Sequence, residues 1–303
     1  MIFSVAHTYA NREYLLTVIV PISRMAGKIN NLKTWISSSI GCDLKIILVH
    51  DVQDADTGPQ LKEFISSIES EQIVFIEKYF GSPGLARNAG LELTETQWCC
   101  FWDSDDIPDL ESVFYSIHAS SSNADVIISN FRLLSQNKST VVRHNSNLDQ
   151  VAINPGLWRM VFKTNTIKDK KFTNLHMGED QIFLLDVDLS NRKIEFSNAI
   201  TYSYRTELEG QLTKRVDLNS LDALTLIQTS ILNSRYNASR FISIVYMRLF
   251  ASSIKRLKFK YPVILFVKNF CFIFKLNKNV LSFVVKMSLL KGKKFQEVSR
   301  SNL

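Results

Sequence analysis

The segment GSPGLARNAGLELTETQWCCFWDSDD, residues 81–106, contains a helix signal, an apolar run and an acidic turn in immediate succession. Ser82 is the predicted N-cap and Pro83 the first helical residue, because both residue types are favoured at helix starts. The apolar run WCCFW predicts a buried strand. The helix residues predicted to face the sheet are Leu85, Ala89 and Leu93. Helix, strand and polar turn in this order are typical of a parallel α/β sheet.

The same alternation of apolar runs and helix-period segments extends over the first 130 residues. Buried strands are predicted at LLTVIVPI (15–22), LKIILV (44–49), IVFI (73–76), WCCFW (98–102) and DVIISNF (125–131). Two helices between them have predicted apolar faces, formed by Ile29, Leu32, Ile36 and Ile40 in the first and by Leu61, Phe64, Ile65 and Ile68 in the second. Beyond these, KIEF (193–196) and ITYSYR (200–205) predict two more strands, and residues 217–233 a helix. The pattern therefore predicts an α/β fold with a mainly parallel sheet.

Carboxylates follow two of the predicted strands at the point where each strand ends. Asp51 follows the second strand, and Asp103, Asp105 and Asp106 follow the fourth. Ligands of open α/β sheets bind beyond the carboxyl ends of the strands, so we expect these side chains to share one crevice.

The acidic turn has two interpretations on its residues alone. Asp103 and Asp105 point to the same side of an extended chain, and a hard cation such as Mg²⁺ would relieve their repulsion. Alternatively, Asp106 is the N-cap of a helix that begins near Pro108, with Asp109 in its first turn. The two interpretations are compatible with each other.

A second acidic point is GEDQ, residues 178–181, directly before an apolar helix. Glu179 and Asp180 either stabilise the start of that helix or supply a general base there. The residues alone leave both open.

The order VIVPI, LVHD, GSPGLARNAG, FWDSDD and MGED resembles the family 2 glycosyltransferases of the GT-A fold, over roughly residues 15–206. The resemblance implies a Rossmann-like nucleotide-diphospho-sugar transferase domain over residues 1–215, with helices on both faces of the sheet. A basic, helical C-terminal region is expected over residues 216–303.

The resemblance also implies a donor site. Pro21 and Ile22 would lie against the nucleotide base, Asp51 would accept from the base or its ribose, and Arg87 would reach the base and the diphosphate. The D-x-D segment, with Asp103 and Ser104, would bind the nucleotide.

A metal and a base are implied in the same way. Asp105 would be the main ligand of Mn²⁺ or Mg²⁺, with Asp103 and Asp106 behind it. Asp180 would take a proton from the acceptor hydroxyl, so that direct displacement inverts the anomeric centre. A bound cation would stabilise the charge on the leaving nucleoside diphosphate.

The chain departs from the family pattern in two places. His50-Asp51-Val52-Gln53 stands where Asp-Asp-Gly-Ser is common. The Gln-x-x-Arg-Trp motif of processive synthases is absent from the sequence. We therefore expect a non-processive enzyme.

An acceptor site is predicted around Trp158 and Arg159, with Glu179. An aromatic face packs on sugar C–H groups, and an arginine meets a phosphate. The alternative is a core tryptophan beside an exposed arginine.

The net charge of +7 is concentrated at the C-terminal end. Residues 248–303 contain 13 Lys or Arg and a single acid, Glu297. Such a tail can bind an anionic membrane surface or pack as a helical bundle with a solvated face. No nucleic-acid recognition motif accompanies the charge, so no nucleic-acid partner is expected.

The expected localisation is cytoplasmic and peripheral on the inner face of the cell membrane. The spacing of Cys42, Cys99, Cys100 and Cys271 argues against a zinc site or disulfide framework and for reduced thiols. Neither a leader nor a run of about 18 apolar residues is evident.

The predicted function is transfer of a sugar from a nucleotide-sugar donor to a glycan or lipid-linked glycan acceptor, such as a lipopolysaccharide or capsule precursor. Two alternatives are a sugar-phosphate nucleotidyltransferase and a non-catalytic scaffold recruited to membranes. PISRMAGK, after the first strand, is a poor match to the phosphate loop of the former.

Overall fold

The computed structural model describes residues 2–3, 13–135, 138–175, 177–206, 219–233 and 239–256. The chain divides into two compact units. The first comprises residues 1–143, 157–176 and 192–210, and the second 144–156, 177–191 and 211–303. The units therefore alternate along the chain, whereas the sequence predicted one boundary after residue 215. That boundary stays a prediction.

The first unit is built on one sheet. Its strands are β1 (Ile2–Phe3), β2 (Leu16–Ile22), β3 (Leu44–Asp51), β4 (Ile73–Lys78), β5 (Trp98–Phe101), β6 (Ile107–Pro108), β7 (Val126–Ser135), β8 (Lys138–Val142), β9 (Met160–Lys163) and β10 (Ile194–Arg205). The helices of this unit are α1 (Asn30–Ser39), α2 (Thr57–Ile68), α3 (Pro83–Glu92), α4 (Leu110–Ala119) and α6 (Thr164–Ile167), with a 3-10 turn at Leu157–Arg159. Those of the second unit are α5 (Leu148–Ile153), α7 (Glu179–Val187), α8 (Asn219–Leu232) and α9 (Arg240–Arg256), with a 3-10 turn at Leu189–Asn191.

The strand order is β1-β4-β3-β2-β5-β9-β7-β10-β6, with β8 paired to β7. The run β4-β3-β2-β5 is parallel throughout, and β7 is parallel to β10. β9 joins the two halves because it pairs antiparallel with both β5 and β7. The predicted strands in the first 131 residues are all present, and the carboxyl ends of β3 and β5 carry the predicted carboxylates.

The strands predicted at KIEF and ITYSYR are a single strand, and the prediction of two was wrong. β10 stays paired to β7 from Ile194 to Arg205, with register shifts between Ser197 and Tyr202. These irregularities absorb extra residues without ending the strand, so the polar segment between the two apolar runs is a bulge rather than a loop.

Helix α1 packs its apolar face on the sheet, but the helix ends before the last residue of the predicted face. Leu32 and Ile36 are buried, and Trp35 joins them with its ring 5.4 Å from that of Trp102. Ile40 is exposed, contrary to the prediction, because the helix ends at Ser39.

Helix α3 begins as predicted, but its buried face was predicted wrongly. The Ser82 hydroxyl accepts from the Leu85 N–H at 3.4 Å, and Pro83 occupies the first turn. The buried residues of the helix are Gly84, Ala86, Arg87, Gly90 and Leu91, whereas Leu85 and Ala89 are half-buried and Leu93 is exposed. Small residues on the buried side let the helix lie close to β2.

The second unit is helical where it is described. α9 contacts α5 and α8, and α7 contacts α8. Arg240 and Asp149 form an ion pair at 2.5 Å, and the Gln228 amide donates to the Tyr246 hydroxyl at 2.6 Å. None of the helices in the described part is long and apolar enough to cross a membrane. The basic tail beyond residue 256 lies outside the described residues.

Candidate active site

The acidic turn connects β5 to β6 and is fastened to the end of β10. The Asp106 N–H donates to the Asp103 carbonyl at 3.3 Å, which closes the turn. Ile107 and Pro108 then pair antiparallel with Ser203 and Tyr202. The turn therefore has its position set by a strand about a hundred residues later in the chain.

Two hydrogen bonds from β10 hold the turn at both ends. The Asp103 N–H donates to the Tyr202 hydroxyl at 3.0 Å, and the Arg205 N–H donates to Asp106 Oδ1 at 2.7 Å. Tyr202 is fully buried, so its hydroxyl is an internal acceptor rather than a solvated group. The Arg205 guanidinium also lies 3.5 Å from the Asp105 carbonyl.

The helix that follows the turn is capped by Asp109 and not by Asp106. The Ser112 N–H donates to Asp109 Oδ1 at 3.0 Å, and α4 begins at Leu110. Asp106 is buried and bound to β10, so its predicted role as a helix cap was wrong. The prediction failed because the short strand β6 lies between the turn and the helix, so that Asp106 is too far from the helix start to cap it.

Asp106 is an acid in an environment that disfavours its charge. Burial raises the pKa of Asp106 well above the ordinary value, and the nearby Asp103 and Asp105 raise it further. The Arg205 N–H and the Tyr202 hydroxyl act in the opposite direction and lower the pKa by less. Its Oδ2 atom is buried without a hydrogen-bond partner. The pKa of Tyr202 is also raised, by burial and then by the same acids.

Asp103 is paired with Arg87, which extends from the first turns of α3. Arg87 Nη2 donates to Asp103 Oδ1 at 2.9 Å. The arginine side chain is 8% exposed and the aspartate 31%, so the ion pair lies at the edge of the site with its carboxylate outward. Such a charge-assisted bond fixes the direction of the carboxylate.

The turn has hard oxygen donors suited to a divalent cation. Asp105 is half-buried, Asp103 is partly exposed, and Asp106 has an unpartnered oxygen. Within the residues that the structure describes, no group of three or more His, Cys, Asp or Glu side chains is arranged to hold a metal. Because Mg²⁺ commonly uses one or two carboxylates and completes its shell with water and substrate phosphates, the turn fits as a partial ligand set.

Asp51 ends β3 and binds the loops around it. Its Oδ2 accepts from the Gly81 N–H at 2.7 Å, while Oδ1 accepts from the Gln53 and Phe80 N–H groups at 3.1 and 3.4 Å. A carboxylate has about four acceptor positions, so one remains for a base or ribose.

The other predicted nucleotide residues lie at the same ends of the strands. Pro21 is half-buried, and Ile22 is buried in the core and pairs in register with His50. His50 is also buried, with Nδ1 at 3.3 Å from Glu77 and Nε2 at 3.0 Å from the Asp54 carbonyl. His50 therefore faces neighbouring loop and strand groups. Ser104 is buried within the acidic turn.

Trp158 and Arg159 occupy an aromatic cluster in the first unit. The Trp158 ring stacks on Tyr202 and Tyr204 at 4.7 and 5.4 Å. Arg159 is 1% exposed, with its guanidinium 5.2 Å from the Phe131 ring and without partners at Nε and Nη2. Burial lowers its pKa to about 9. The alternative of an exposed arginine is thus wrong, and the predicted acceptor role stays a prediction.

Glu179 and Asp180 belong to the second unit, at the start of α7. The N-cap is Gly178, at φ 86°, and no side chain caps the helix. Asp180 Oδ1 accepts from the Gln181 N–H at 2.9 Å, and Glu179 is buried. Both acids lie in the first turn, where the helix dipole favours them. His176 and residues 207–213 lie outside the described residues.

The structure brings together a site in the first unit that the sequence indicated only in part. Asp103, Asp105, Asp106 and Arg87 are neighbours, as predicted from the carboxyl ends of the strands. Sequence reasoning missed Tyr202, whose only signal was its place in an apolar strand.

Comparison with known proteins gives the family. A family model for glycosyl transferase family 2 matches residues 17–192. The chain is 24% identical over 182 residues to a poly(ribitol-phosphate) beta-glucosyltransferase of Bacillus spizizenii, covering 56% of this chain and 28% of that protein. The chain thus spans about a quarter of the length of this curated relative.

Solved structures share the fold. Residues 1–349 of S. aureus TarS, in complex with UDP-GlcNAc, superpose with a TM-score of 0.66 at 18% identity, covering 80% of this chain and 74% of that one. The mannosyltransferase PcManGT of Pyrobaculum calidifontis, in complex with GDP-Man and Mn²⁺, gives 0.58 at 11% identity, covering 95% and 83%. The family match extends over more than half of the sequence, and the fold agrees with it. The chain belongs to glycosyl transferase family 2 and has the GT-A fold.

Proposed function

We propose that this protein is an inverting, metal-dependent glycosyltransferase that moves a sugar from a nucleotide-sugar donor to a hydroxyl of a glycan acceptor. The observation that carries the proposal is the acidic turn at the carboxyl end of β5, with Asp103 held by Arg87 in a family 2 domain. The turn offers carboxylates at an edge of the sheet where a diphosphate can approach.

The proposed donor is a nucleoside diphosphate sugar, with UDP as the first choice. TarS has been crystallised with UDP-GlcNAc, and PcManGT with GDP-Man. Asp51, at the end of β3, has an acceptor position left for a base or ribose. Pro21 and Ile22 end the neighbouring strand β2 and are proposed to lie against the base.

The proposed metal is Mn²⁺ or Mg²⁺, held by Asp105 with Asp103 and, behind them, Asp106. PcManGT, of the same fold, was crystallised with Mn²⁺. When bound there, a divalent cation would supply Lewis-acid stabilisation of the charge on the leaving diphosphate. The buried Oδ2 atom of Asp106, which has no hydrogen-bond partner, supports its place behind the other two carboxylates.

The chain's own groups are proposed to do the rest. Arg87 fixes the direction of the Asp103 carboxylate, and Tyr202 fixes the backbone of the turn. Asp180 takes the proton of the acceptor hydroxyl as general base. The role of Asp180 is supported by motif order in the sequence and by its half-buried position in the first turn of α7.

The acceptor is proposed to be a precursor of a bacterial surface polymer, carried on a lipid or a polyol phosphate. The Bacillus spizizenii relative acts on poly(ribitol phosphate) by its name. Residues 248–303, with 13 basic residues against one acid, are proposed to hold the protein at the anionic inner face of the cell membrane. Flotation of the full chain with vesicles that contain or lack phosphatidylglycerol tests this, and equal flotation with both would contradict it.

Nucleotide binding is the direct test of the donor site. Titration calorimetry of the full chain with UDP, GDP and TDP, with and without Mn²⁺, should give binding of one nucleotide that strengthens with metal. Asp105→Asn should abolish the metal dependence, while Asp109→Asn, at the helix cap of the next element, is the matched control and should not. If the wild type binds none of the three, the donor site is not where we place it.

Activity separates the two carboxylate roles. Asp180→Asn should retain metal-dependent nucleotide binding and lose transfer by about 10²-fold or more, because general base catalysis contributes that much. A variant with both binding and transfer intact would remove Asp180 from the mechanism.

A further inference from the structure

The Arg87 guanidinium, which pairs with Asp103, lies over the ring of Phe172. The Arg87 guanidinium carbon lies 5.6 Å from the ring centroid, within the range of a cation–π contact. The same ring meets Phe101 edge to face at 5.0 Å, and Phe101 is the last residue of β5 before the turn. Phe172 is buried, and its ring contacts Arg87 as well as Phe101, which lies two residues before Asp103 in the chain.

Phe172 lies in a segment that no regular structure holds. After α6 ends at Ile167, residues 168–175 form neither helix nor strand. The Asn88 side chain binds both backbone groups of Phe172 instead. Asn88 Nδ2 donates to the Phe172 carbonyl at 2.9 Å, and the Phe172 N–H donates to Asn88 Oδ1 at 2.8 Å.

We propose that Asn88 and Phe172 are positioning residues that hold the Arg87 guanidinium against Asp103. Asn88 follows Arg87 directly in α3, so one helix supplies both the guanidinium and the amide that fixes the ring beneath it. The chain of contacts runs from Asn88 to Phe172, from Phe172 to Arg87, and from Arg87 to Asp103. That Asp103 meets the donor nucleotide is part of the proposed function, on which this inference rests.

The physical reason is preorganisation. Arginine has a long side chain with many rotamers, and an ion pair at the edge of a site is weak unless its geometry is fixed. A ring under the guanidinium limits those rotamers, and a doubly hydrogen-bonded backbone limits the ring. Without the Asn88 amide, the backbone of Phe172 would lose both of its hydrogen bonds to α3.

A matched control exists at the opposite end of the sheet. Gln72 also binds backbone with a buried amide: Nε2 donates to the Cys42 and Leu44 carbonyls at 3.0 and 2.9 Å, and Oε1 accepts from the Gly41 N–H at 2.6 Å. It lies where β3 and β4 begin, away from the acidic turn. Gln72→Ala should therefore lower stability as Asn88→Ala does, without altering the donor site.

The first measurement is the affinity for UDP with Mn²⁺, well below the unfolding temperature of each variant. Asn88→Ala and Phe172→Leu should each weaken binding about fivefold, the equivalent of roughly 1 kcal/mol, and Asn88→Asp, which keeps the acceptor oxygen, should lose less. Gln72→Ala should bind as the wild type does. Unchanged affinity in both Asn88→Ala and Phe172→Leu would overturn the inference.

The second measurement needs no nucleotide and separates this inference from the proposed function. We would measure the unfolding equilibrium constants of Phe172→Leu, Asp103→Asn and the double variant. The effect of the double variant should differ from the product of the two single effects by about threefold or more, since the two changes affect one contact network. Gln72→Ala should be additive with Asp103→Asn. If the wild type binds no nucleotide but the cycle is coupled, the proposed function fails and the positioning stands. If the two effects are additive, the positioning role of Phe172 is contradicted, whatever the nucleotide result.

Discussion

Gly90 is a position where α3 lies close against the sheet, and Gly90→Ala is a sharp test of that packing. A Cβ at residue 90 would lie 2.5 Å from Ile19 Cγ2 and 3.1 Å from Ile19 Cγ1. Ile19 is fully buried in β2, and its branched side chain is stiff at χ1. Neither partner has room to move aside.

The two opposing free energies can be compared directly. Alanine gains about 1 kcal/mol over glycine within a helix. A methyl that intrudes by about 1 Å into a closed core costs toward the upper end of the usual ~1–3 kcal/mol for overpacking. We therefore expect Gly90→Ala to lower the free energy of unfolding by about 2 kcal/mol.

The sign should reverse when the isoleucine is shortened. In an Ile19→Ala background both clashing γ atoms are gone, and the atom that remains, Cβ, is at 3.4 Å. In that background Gly90→Ala should raise the free energy of unfolding by about 1 kcal/mol, because alanine has that advantage over glycine within a helix. Ala89→Gly, at the half-buried neighbour, calibrates that propensity in the same helix.

Urea unfolding followed by tryptophan fluorescence measures these differences in the first unit, which contains the protein's four tryptophans, Trp35, Trp98, Trp102 and Trp158. Because α3 carries Arg87, the wild-type-background variant should also bind nucleotide more weakly. If Gly90→Ala stabilises the wild type, α3 does not lie on β2 as described, and the account of this helix is wrong.

Three further predictions concern the acidic turn and the buried arginine. Tyr202→Phe removes the acceptor of the Asp103 N–H, so it should lower the free energy of unfolding by about 1–3 kcal/mol and weaken metal-dependent nucleotide binding; unchanged values in both calorimetry and urea unfolding would contradict the anchoring role. Asp109→Ala removes the helix cap, so it should lower the free energy of unfolding by about 1 kcal/mol and leave transfer activity intact. Asp106→Asn should reduce transfer activity. The opposite pattern would restore the cap assignment to Asp106. Arg159→Met should raise the free energy of unfolding at pH 7 by roughly 1–4 kcal/mol, since it removes a buried charge that has no ion-pair partner among the described residues. Burial lowers the pKa of Arg159 to about 9 in the folded state, so the unfolded state binds more protons above pH 9 and the wild type gains stability as the pH rises there. The advantage of Arg159→Met should thus shrink as the pH rises through about 9; a loss of activity with no gain in stability would favour the acceptor role.

Much of the first unit could be predicted from local pattern. The strands of the parallel half are continuous apolar runs, as expected for strands covered on both faces. The cap of α3 was evident because serine and proline act on their own neighbours. The buried face of α3 was not, since the choice between Leu85 and Gly90 depends on how closely Ile19 approaches.

The residues of the site also separate into those with a local sequence signal and those without one. Asp51, Asp103 and Asp105 could be placed at the carboxyl ends of strands because strand ends follow from hydropathy. The roles of Asn88, Phe172 and Tyr202 had no local signal. Asn88 binds a residue 84 positions later, and Tyr202 binds one 99 positions earlier.

The sequence by itself determined where an acidic turn would follow a buried strand, because hydrophobic period and residue type act over a few neighbours. Only the tertiary structure decided which aspartate does what. Asp109 caps a helix, Asp103 is paired with Arg87, and Asp106 is buried against β10. The physical reason is that hydrogen bonding and burial depend on groups brought near by folding, and those groups are distant in the chain.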